Sequence, residues 1–269
     1  MTTRNHCPLC QSTTIGYFTT LDTRQISKCT SCSLVFTSRF DEEILSRAYK
    51  EDYYSSPDDP RIDVLIESDG FIWDDLVSDL SRLNIPITTL LDIGAGSGGF
   101  LLKYSLKNPQ TKLYAVESSS EAKENLQKRI PKLHLLDGAA EDLIKLDSAL
   151  DAITCLQCLE HVLDPLGVCK QANRLLARNG AFLITVPNRF SFQELRRDRA
   201  KSLCYGNRTH LQFFSLSTLE RLLQQAGFVN ITRVVKFGGG HYRGVMASLQ
   251  YALRSLGIST ELRFIARKL

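Results

Sequence analysis

Four cysteines near the N-terminus have the spacing of metal ligands. Cys7 and Cys10 form one Cys-x-x-Cys pair, and Cys29 and Cys32 form a second pair after eighteen intervening residues. Four thiolates can surround a zinc ion tetrahedrally, and each pair would supply two sulfurs from one tight turn. Cysteine fills all four positions and leaves none for a catalytic water, so we interpret the zinc as structural. Two unrelated cysteine pairs are the alternative interpretation.

A glycine-rich turn forms the second candidate site. Leu90–Ile93 predicts a short apolar strand, Gly94–Gly99 contains four glycines, and an apolar helix is expected from Phe100. Glycines at such a turn let the backbone approach a ligand closely. Asp92 would repel a pyrophosphate there but would favour a positively charged amino-acid group or sulfonium. The turn alone is a weak signal, because nicotinamide enzymes share it.

Two further strands end in groups that could bind the same ligand. Leu113–Val116 predicts a strand that ends at Glu117, whose carboxylate could accept hydrogen bonds from both hydroxyls of a ribose. Leu133–Leu136 predicts another strand, and the loop 137–142 after it would flank an adenine ring.

Helices and strands must position these candidate sites. The distribution of apolar residues along the chain predicts three structural regions. Residues 1–38 are expected to form a zinc ribbon with a short hairpin between the cysteine pairs, held by the metal because so few residues bury little core. Residues 39–88 show helical periodicity and are interpreted as a connector or lid. Residues 89–269 alternate strand and helix patterns, which predicts an α/β domain.

The order of these motifs resembles the class I S-adenosylmethionine-dependent methyltransferases. The matching segments are Leu91–Phe100, Val116-Glu117, Asp151–Cys155, Leu159–Pro165, Gly180–Val186, His210–Ser215 and Leu219–Phe228, with Leu262–Lys268 as the last strand. The resemblance implies a Rossmann-like sheet of seven mostly parallel strands with helices on both faces. The front end, with Lys28–Phe36 followed by tyrosines, resembles the zinc-ribbon branch, whose members often modify sugars, polysaccharide precursors or natural products. That branch usually has glycine after the second cysteine pair, where this chain has Ser33.

The resemblance also implies a set of cofactor-binding residues. The glycine turn would line the methionine part of the cofactor, the end of the second strand would hold the ribose, and the end of the fourth strand would face the cofactor. A tyrosine of the connector could close over the cofactor or pack on the core. The implied residues are Asp92, Gly94, Ala95, Gly96, Glu117, Ser118, Ala139, Ala140, Glu141, Leu156, Gln157 and Tyr54.

Two histidines are candidates for a general base, since a hydroxyl acceptor must lose its proton and histidine titrates near neutrality. His161 follows the fourth strand beside Glu160, and His210 ends a basic segment. Either histidine could instead only hydrogen-bond the chain. Relatives that methylate quinone precursors bind a divalent metal through two glutamates and a histidine here, but Gln157 replaces the first glutamate, so we do not predict a catalytic magnesium.

Charge and composition restrict the partners. The chain has a net charge of +4, and the segment 189–210 alone carries six basic against two acidic residues. That segment is either a solvated face or a cradle for an anionic substrate. No apolar run is long enough to span a bilayer, and no signal peptide is evident, so we expect a cytoplasmic protein with reduced cysteines.

The favoured hypothesis is a methyltransferase for a small hydroxylated metabolite, such as a sugar or natural-product precursor, acting by O-methylation. An RNA or protein methyltransferase that uses the zinc module for recognition is an alternative, although the module has few basic residues and nucleic acid is not favoured. A non-catalytic cofactor-binding scaffold is a third hypothesis. The glycine-rich entry to residues 238–258 could border the site or form a homodimer contact.

Overall fold

The structure is a computed structural model that describes residues 1–52, 70–136, 138, 140, 149–196, 198–235 and 244–269. Its strands are β1 (Thr2–Thr3), β2 (Ile15–Leu21), β3 (Arg24–Cys29), β4 (Val35–Phe40), β5 (Thr89–Ile93), β6 (Lys112–Val116), β7 (His134–Leu136), β8 (Leu150–Leu156), β9 (Leu176–Pro187), β10 (Gln212–Phe213), β11 (Val229–Arg233) and β12 (Glu261–Arg267). Its helices are α1 (Glu42–Asp52), α2 (Gly70–Ser81), α3 (Gly99–Lys107), α4 (Ser120–Arg129), α5 (Pro165–Leu175), α6 (Phe192–Arg196), α7 (Leu216–Gln225) and α8 (Gly244–Leu256).

The large sheet has seven strands in the order β11-β12-β9-β8-β5-β6-β7. Strands β5 to β9 run parallel, whereas β12 is antiparallel to β9 and β11 is antiparallel to β12. This arrangement confirms the predicted Rossmann-like class, and the last strand lies within one residue of its expected position. The carboxyl ends of β5, β6, β8 and β9 meet at one edge, where ligands bind in open sheets of this kind.

The central strands are continuous apolar runs, as expected for a parallel sheet whose two faces are both covered by helices. One face packs against α5 and α7, with Val168, Leu219 and Leu222 in its core. The other packs against α2, α3 and α4 and includes Leu80 and Leu101. Among the helices that the structure describes, none has the length and apolar character needed to cross a membrane.

A buried arginine joins the connector to the last strand. Nη1 of Arg263 donates hydrogen bonds to Asp75 and Asp79 of α2, at 2.8 and 2.6 Å, and Nη2 donates to Glu261 at 2.9 Å. Because the pairs are enclosed, loss of one partner would leave an uncompensated charge in the interior. The second half of the connector is thereby held against the sheet.

The N-terminal strands form a second, smaller sheet in the order β1-β4-β3-β2. The hairpin between the cysteine pairs is present as β2 and β3. Strand β4 runs to Phe40 and also pairs with β10, which comes from more than 170 residues further along the chain. Phe36 of this module lies in the same core cluster as Leu159 and Phe214. The module therefore packs directly on the α/β domain, and the domain bounds remain predictions.

Candidate functional site

The glycine turn is tightly enclosed between β5, α3 and β8. The backbone N–H of Gly94 donates to the carbonyl of Val116 at 2.8 Å, and Gly94 has a φ of 72°. A Cβ at Gly94 would overlap the sulfur of Cys158, and one at Gly98 would overlap Leu126. Only glycine fits these positions, which leaves a bare backbone at the carboxyl edge of β5.

The carboxylate of Glu117 ties the turn to the end of β6. Its Oε2 accepts a hydrogen bond from the backbone N–H of Gly96 at 2.8 Å, and its Oε1 accepts one from Ser119 at 2.9 Å. Glu117 is half-buried and Ser118 is exposed, so the carboxylate lies at the rim of the edge where β5 and β6 end. Its contact with a ribose remains a prediction.

Asp92 is enclosed behind the turn. Its Oδ1 accepts a hydrogen bond from the hydroxyl of Thr154 on β8 at 2.6 Å. Burial, with a smaller contribution from the neighbouring charge of Glu117, raises the pKa of Asp92 to about 7. A cation bound at the turn would favour the ionised form of this carboxyl. The predicted contact with the methionine part of the cofactor is not tested by these distances.

Replacing Glu117 with alanine should weaken binding of S-adenosylmethionine by roughly 10- to 100-fold, because the variant loses charge-assisted hydrogen bonds to the ribose and an anchor of the turn. The dissociation constant can be measured by calorimetry. Glu124→Ala on α4, where Glu124 pairs with Lys128 on the surface, is the matched control and should bind normally. Unchanged affinity in Glu117→Ala would show that the ribose lies elsewhere.

The end of β8 has a strained backbone. Gln157 has a φ of 51°, which is uncommon for a residue other than glycine. Its backbone N–H donates to the carbonyl of Thr185 at 3.0 Å, and its side-chain amide donates to Glu261 at 3.2 Å. Leu156 before it is half-buried. The left-handed backbone of Gln157 thus turns the chain at the end of β8, just before Glu160 and His161.

Other predicted cofactor contacts have a mixed outcome. Ala95 belongs to the glycine turn, and its N–H lies 3.3 Å from the carbonyl of Val116. Ala140 is buried and belongs to the core cluster. Tyr54, Ala139 and Glu141 lie outside the described residues, as does the glycine-rich stretch 238–243. Their roles remain predictions.

Glu160, His161 and His210 lie together although 49 residues separate the two outer members. One nitrogen or oxygen atom from each residue lies within 4.8 Å of the others. His161 Nε2 is 3.9 Å from Glu160 Oε1, and the two imidazole rings meet edge to face with centroids 4.8 Å apart. Glu160 Oε2 is buried and has no hydrogen-bond partner within the described ranges. The sequence named these three residues, and the structure brings them together.

Backbone carbonyls define the tautomer of both histidines. His161 Nδ1 is 3.2 Å from the carbonyl of Thr209, and His210 Nδ1 is 2.7 Å from that of Cys204. A carbonyl only accepts hydrogen bonds, so we assign the proton of each neutral ring to Nδ1. Each Nε2 is then the basic nitrogen. Both histidines therefore have the form required of a proton acceptor.

Burial favours the uncharged forms of all three side chains. It lowers the pKa of His161 to about 4 and that of His210 to about 3, and it raises the pKa of Glu160 to about 8. Both histidines are therefore neutral at physiological pH. A proton on His161 would favour the carboxylate of Glu160, because opposite charges at this separation stabilise one another.

These shifts predict a pH-dependent stability. Between pH 6.5 and about 4 these histidines bind protons in the unfolded chain but stay neutral in the folded protein. Their contribution to the free energy of unfolding therefore falls as pH falls. Each histidine contributes up to about 1.4 kcal/mol per pH unit. Glu160 acts oppositely above pH 4.5, because the folded state keeps its proton up to about pH 8. Asp92 acts in the same sense as Glu160, because burial raises its pKa to about 7. The contribution of one histidine is therefore measured as the difference in slope between wild type and a variant that lacks it.

Urea unfolding of wild type and His161→Gln across this pH range checks the slope. The variant lacks one group whose pKa is lowered on folding, so the slope of its unfolding free energy against pH should be lower than that of wild type by up to about 1.4 kcal/mol per pH unit between pH 4.5 and 6.5. Equal slopes would contradict the assignment of His161 as a buried neutral base. His134→Gln, which replaces an exposed histidine of β7, should behave as wild type does.

The N-terminal module holds the segment that carries His210. Nη1 of Arg24 donates to the carbonyl of Asn207 at 2.7 Å, and Nη2 donates to that of Tyr205 at 3.0 Å. The hydroxyl of Thr37 donates to the carbonyl of His210 at 3.1 Å. Arg24 is only 4% exposed. Sequence reasoning missed these contacts, since Arg24 was counted merely as a positive charge of the module.

The four cysteine sulfurs have the arrangement of a tetrahedral metal site. Cys7 Sγ is 3.4 Å from Cys32 Sγ, Cys10 Sγ is 3.6 Å from Cys29 Sγ, and all four sulfurs lie within 4.8 Å of one another. Ser33 has a φ of 65°, in the left-handed region that explains why relatives have glycine there. Four thiolate ligands that leave no coordination position open fit a structural zinc ion.

A seven-stranded, mostly parallel sheet with a glycine turn and an acidic residue at the end of the next strand defines a class I, Rossmann-like S-adenosylmethionine-dependent methyltransferase domain. The chain belongs to the family described as methyltransferase domain, which matches residues 69–233 and so covers more than half of it.

Individual proteins resemble parts of the chain. A "Probable S-adenosylmethionine-dependent methyltransferase" from Mycobacterium tuberculosis is 25% identical over 133 residues, which is 49% of this chain and 46% of that protein. A ubiquinone biosynthesis O-methyltransferase from Xanthomonas campestris pv. campestris is 26% identical over 119 residues, 40% of this chain and 47% of that protein. The match therefore spans about half the length of these curated relatives.

One solved structure illustrates the shared fold. The plantazolicin methyltransferase BpumL, solved in complex with SAH, superposes with a TM-score of 0.59 at 19% identity. The superposition covers 85% of this chain and 97% of that one. At this identity the likeness concerns the fold.

Proposed function

We propose that this protein transfers a methyl group from S-adenosylmethionine to a hydroxyl of a small metabolite, such as a sugar or a natural-product precursor. The observation that carries the proposal is the enclosed cluster of Glu160, His161 and His210 next to the end of β8, at the edge that also holds the glycine turn. A hydroxyl acceptor needs a base there, and a neutral histidine can serve as one.

The cofactor, when bound, supplies an electrophilic methyl carbon on a sulfonium. Glu117 would hold the ribose, and the bare backbone of Gly94 and Gly96 would receive the methionine part. The chain itself contributes alignment of the acceptor and exclusion of water, which together can supply several kcal/mol.

His161 is the residue to which we assign the proton transfer. Its Nε2 would take the proton of the acceptor hydroxyl as the oxygen attacks the methyl carbon. His161 directly follows Glu160 just after the end of β8 and has the higher pKa of the two histidines, about 4 against about 3, so it is the stronger base of the pair. Glu160, 3.9 Å from that nitrogen, would stabilise the imidazolium, and His210 would support the ring through its edge contact.

The internal contacts of the N-terminal module argue against a macromolecular substrate. Strand β4 pairs with β10, and Arg24 is engaged with carbonyls of the α/β domain. A module that gripped RNA would need such a cation on its surface, facing phosphate. These contacts favour a module that supports the site over one that recognises a polymer.

The test supplies S-adenosylmethionine with a labelled methyl group to the purified protein and a fractionated extract of its source. The fractions are small metabolites, RNA and protein. We expect label in the small-metabolite fraction, and none there with Glu117→Ala at low cofactor concentration. Label confined to RNA or protein would contradict the proposal. Cofactor binding without label in any fraction would favour the scaffold hypothesis.

A further inference from the structure

Arg189 is a buried cation without a counterion among the residues that the structure describes. It lies two residues beyond the end of β9, and its backbone N–H donates to the carbonyl of Phe214 at 3.0 Å. Arg189 is 8% exposed, and its guanidinium stacks on the ring of Phe190 with a carbon-to-centroid distance of 4.1 Å. Its Nε is enclosed and has no hydrogen-bond partner in the described part of the chain. Within the part of the chain that the structure describes, no carboxylate comes within salt-bridge distance of Arg189.

Tyr205 presents a second donor beside it. Nη1 of Arg189 donates to the phenolic oxygen of Tyr205 at 3.4 Å, so this oxygen acts as an acceptor in that contact. Burial raises the pKa of Tyr205, and the phenol keeps its proton at physiological pH. That proton has no acceptor among the described residues. Two adjacent groups therefore have hydrogen-bond donors that the protein itself does not satisfy, and such donors are rare in interiors.

The described side chains near Arg189 and Tyr205 include a second cation, Arg199, and a carboxylate, Glu194. The guanidinium of Arg199 lies 4.5 Å from the ring centroid of Phe18, whose ring stacks on Tyr205 at 6.1 Å. Glu194 accepts a hydrogen bond from the backbone N–H of Cys204 at 3.0 Å. This carboxylate forms no ion pair with Arg189, so it reduces the local positive charge without neutralising the guanidinium.

The position of the pair connects it to the histidine cluster. The carbonyl of Cys204, next to Tyr205 in the chain, accepts the hydrogen bond from Nδ1 of His210. Arg189 follows the carboxyl end of β9, whose neighbour β8 leads into Glu160 and His161. A ligand anchored by Arg189 and Tyr205 would therefore lie beside the proposed base.

We propose that Arg189 and Tyr205 form a subsite for an oxyanion, a carboxylate or a phosphate, carried by the methyl acceptor. The inference rests on the proposed function and narrows its substrate class to anionic hydroxylated metabolites. A guanidinium suits planar recognition of either group through paired hydrogen bonds, and the phenol would add a third.

Binding of two probes to the full-length protein tests the subsite directly. Inorganic phosphate and acetate are titrated separately against wild type, Arg189→Gln, Tyr205→Phe and Arg196→Gln, with NMR of the probe as the readout. Arg196 is exposed and stacks on Phe192 of the same segment, so it is the matched control. We expect the phosphate dissociation constant to rise at least about tenfold in Arg189→Gln and several-fold in Tyr205→Phe. Arg196→Gln should bind as wild type does.

Tyr205→Phe removes one oxygen and keeps the ring contacts, so it tests the subsite even if Arg189→Gln fails to fold. Equal affinity of Arg196→Gln and Arg189→Gln for both probes would overturn the subsite, because it would indicate a diffuse surface charge. A preference between phosphate and acetate identifies which oxyanion the subsite takes.

The labelled-methyl assay separates failure of the subsite from failure of the proposed function. Loss of label from anionic metabolites in Arg189→Gln, with only partial restoration by Arg189→Lys, which keeps the charge but not the paired hydrogen bonds, supports both. Equal labelling of anionic metabolites by wild type and Arg189→Gln overturns the subsite alone. Probe binding that depends on Arg189, with label only in RNA or protein, leaves the subsite standing and overturns the proposed function.

Discussion

Replacing His161 with glutamine is expected to lower kcat by roughly 100- to 10,000-fold, the contribution typical of a positioned general base. Glutamine can keep a hydrogen bond to the carbonyl of Thr209, but its side chain cannot accept the proton of an acceptor hydroxyl. The proposed cofactor site lies at the ends of β5 and β6, so the dissociation constant for S-adenosylmethionine should stay within about threefold of wild type, a difference of less than about 1 kcal/mol.

The controls distinguish a base from a structural histidine. His134→Gln replaces an exposed histidine and should leave kcat unchanged. Glu160→Gln keeps the volume but cannot form the carboxylate that would stabilise a protonated His161, and we expect a smaller loss of kcat than with His161→Gln. If His210→Gln abolished turnover while His161→Gln kept it, the base would be His210. Normal turnover by both variants would contradict a histidine base.

The lowered pKa of His161 also predicts how kcat/KM depends on pH on the acidic side of the pH–rate profile. Burial lowers the pKa of His161 to about 4, so the basic form persists well below the usual titration range of histidine. In wild type kcat/KM should therefore stay high between pH 7 and about pH 5, as long as the protein remains folded. A limb centred near 6.5 would indicate an exposed histidine instead.

Loss of one cysteine ligand is expected to abolish methyl transfer while sparing cofactor binding. In Cys10→Ser the proposed zinc site would lose a thiolate, and the module would lose the folding energy that bound zinc would supply. Arg24 and Thr37 would then no longer hold the segment that carries His210. We expect turnover to fall at least about 100-fold, in line with loss of a base. The measurements are zinc content, kcat and cofactor affinity of the same preparations.

Two further variants make this prediction specific. Cys169→Ala removes a buried thiol of α5 outside the cluster and should keep full zinc content. Arg24→Gln should lose turnover while zinc stays bound, because it breaks the contacts between module and segment and spares the ligands. Full turnover without zinc would contradict a supporting role of the module.

Local patterns made most of the large sheet predictable. Strands such as β5 and β8 are short apolar runs bounded by glycine or acidic residues, and the structure has them at the expected places. The glycine turn was predictable because its residues must adopt conformations and approaches that a side chain would block. The histidine of the late motif was found through the resemblance, since nothing near His210 in the chain marks it as a site residue.

The contacts between distant segments were not predictable from one sequence. Strand β10 has two residues, and its pairing with β4 leaves no periodic pattern. From the sequence alone Arg24 would be predicted to be a surface charge, because the carbonyl groups that it contacts are distant in the chain. The enclosure of Arg189 depends on residues 190 and 205, and a count of basic residues suggested only a positive segment. Such features arise from packing between elements, which composition and periodicity do not encode.

The most direct measurement of the central claim is the position of a deuterated methyl group in the product. The acceptor found in the metabolite fraction is incubated with S-adenosylmethionine carrying that methyl group, and NMR locates the label. We predict label on an oxygen of a small hydroxylated acceptor with wild type, and none with His161→Gln although that variant still binds the cofactor. Label on carbon or nitrogen, or equal labelling by His161→Gln, would contradict the account.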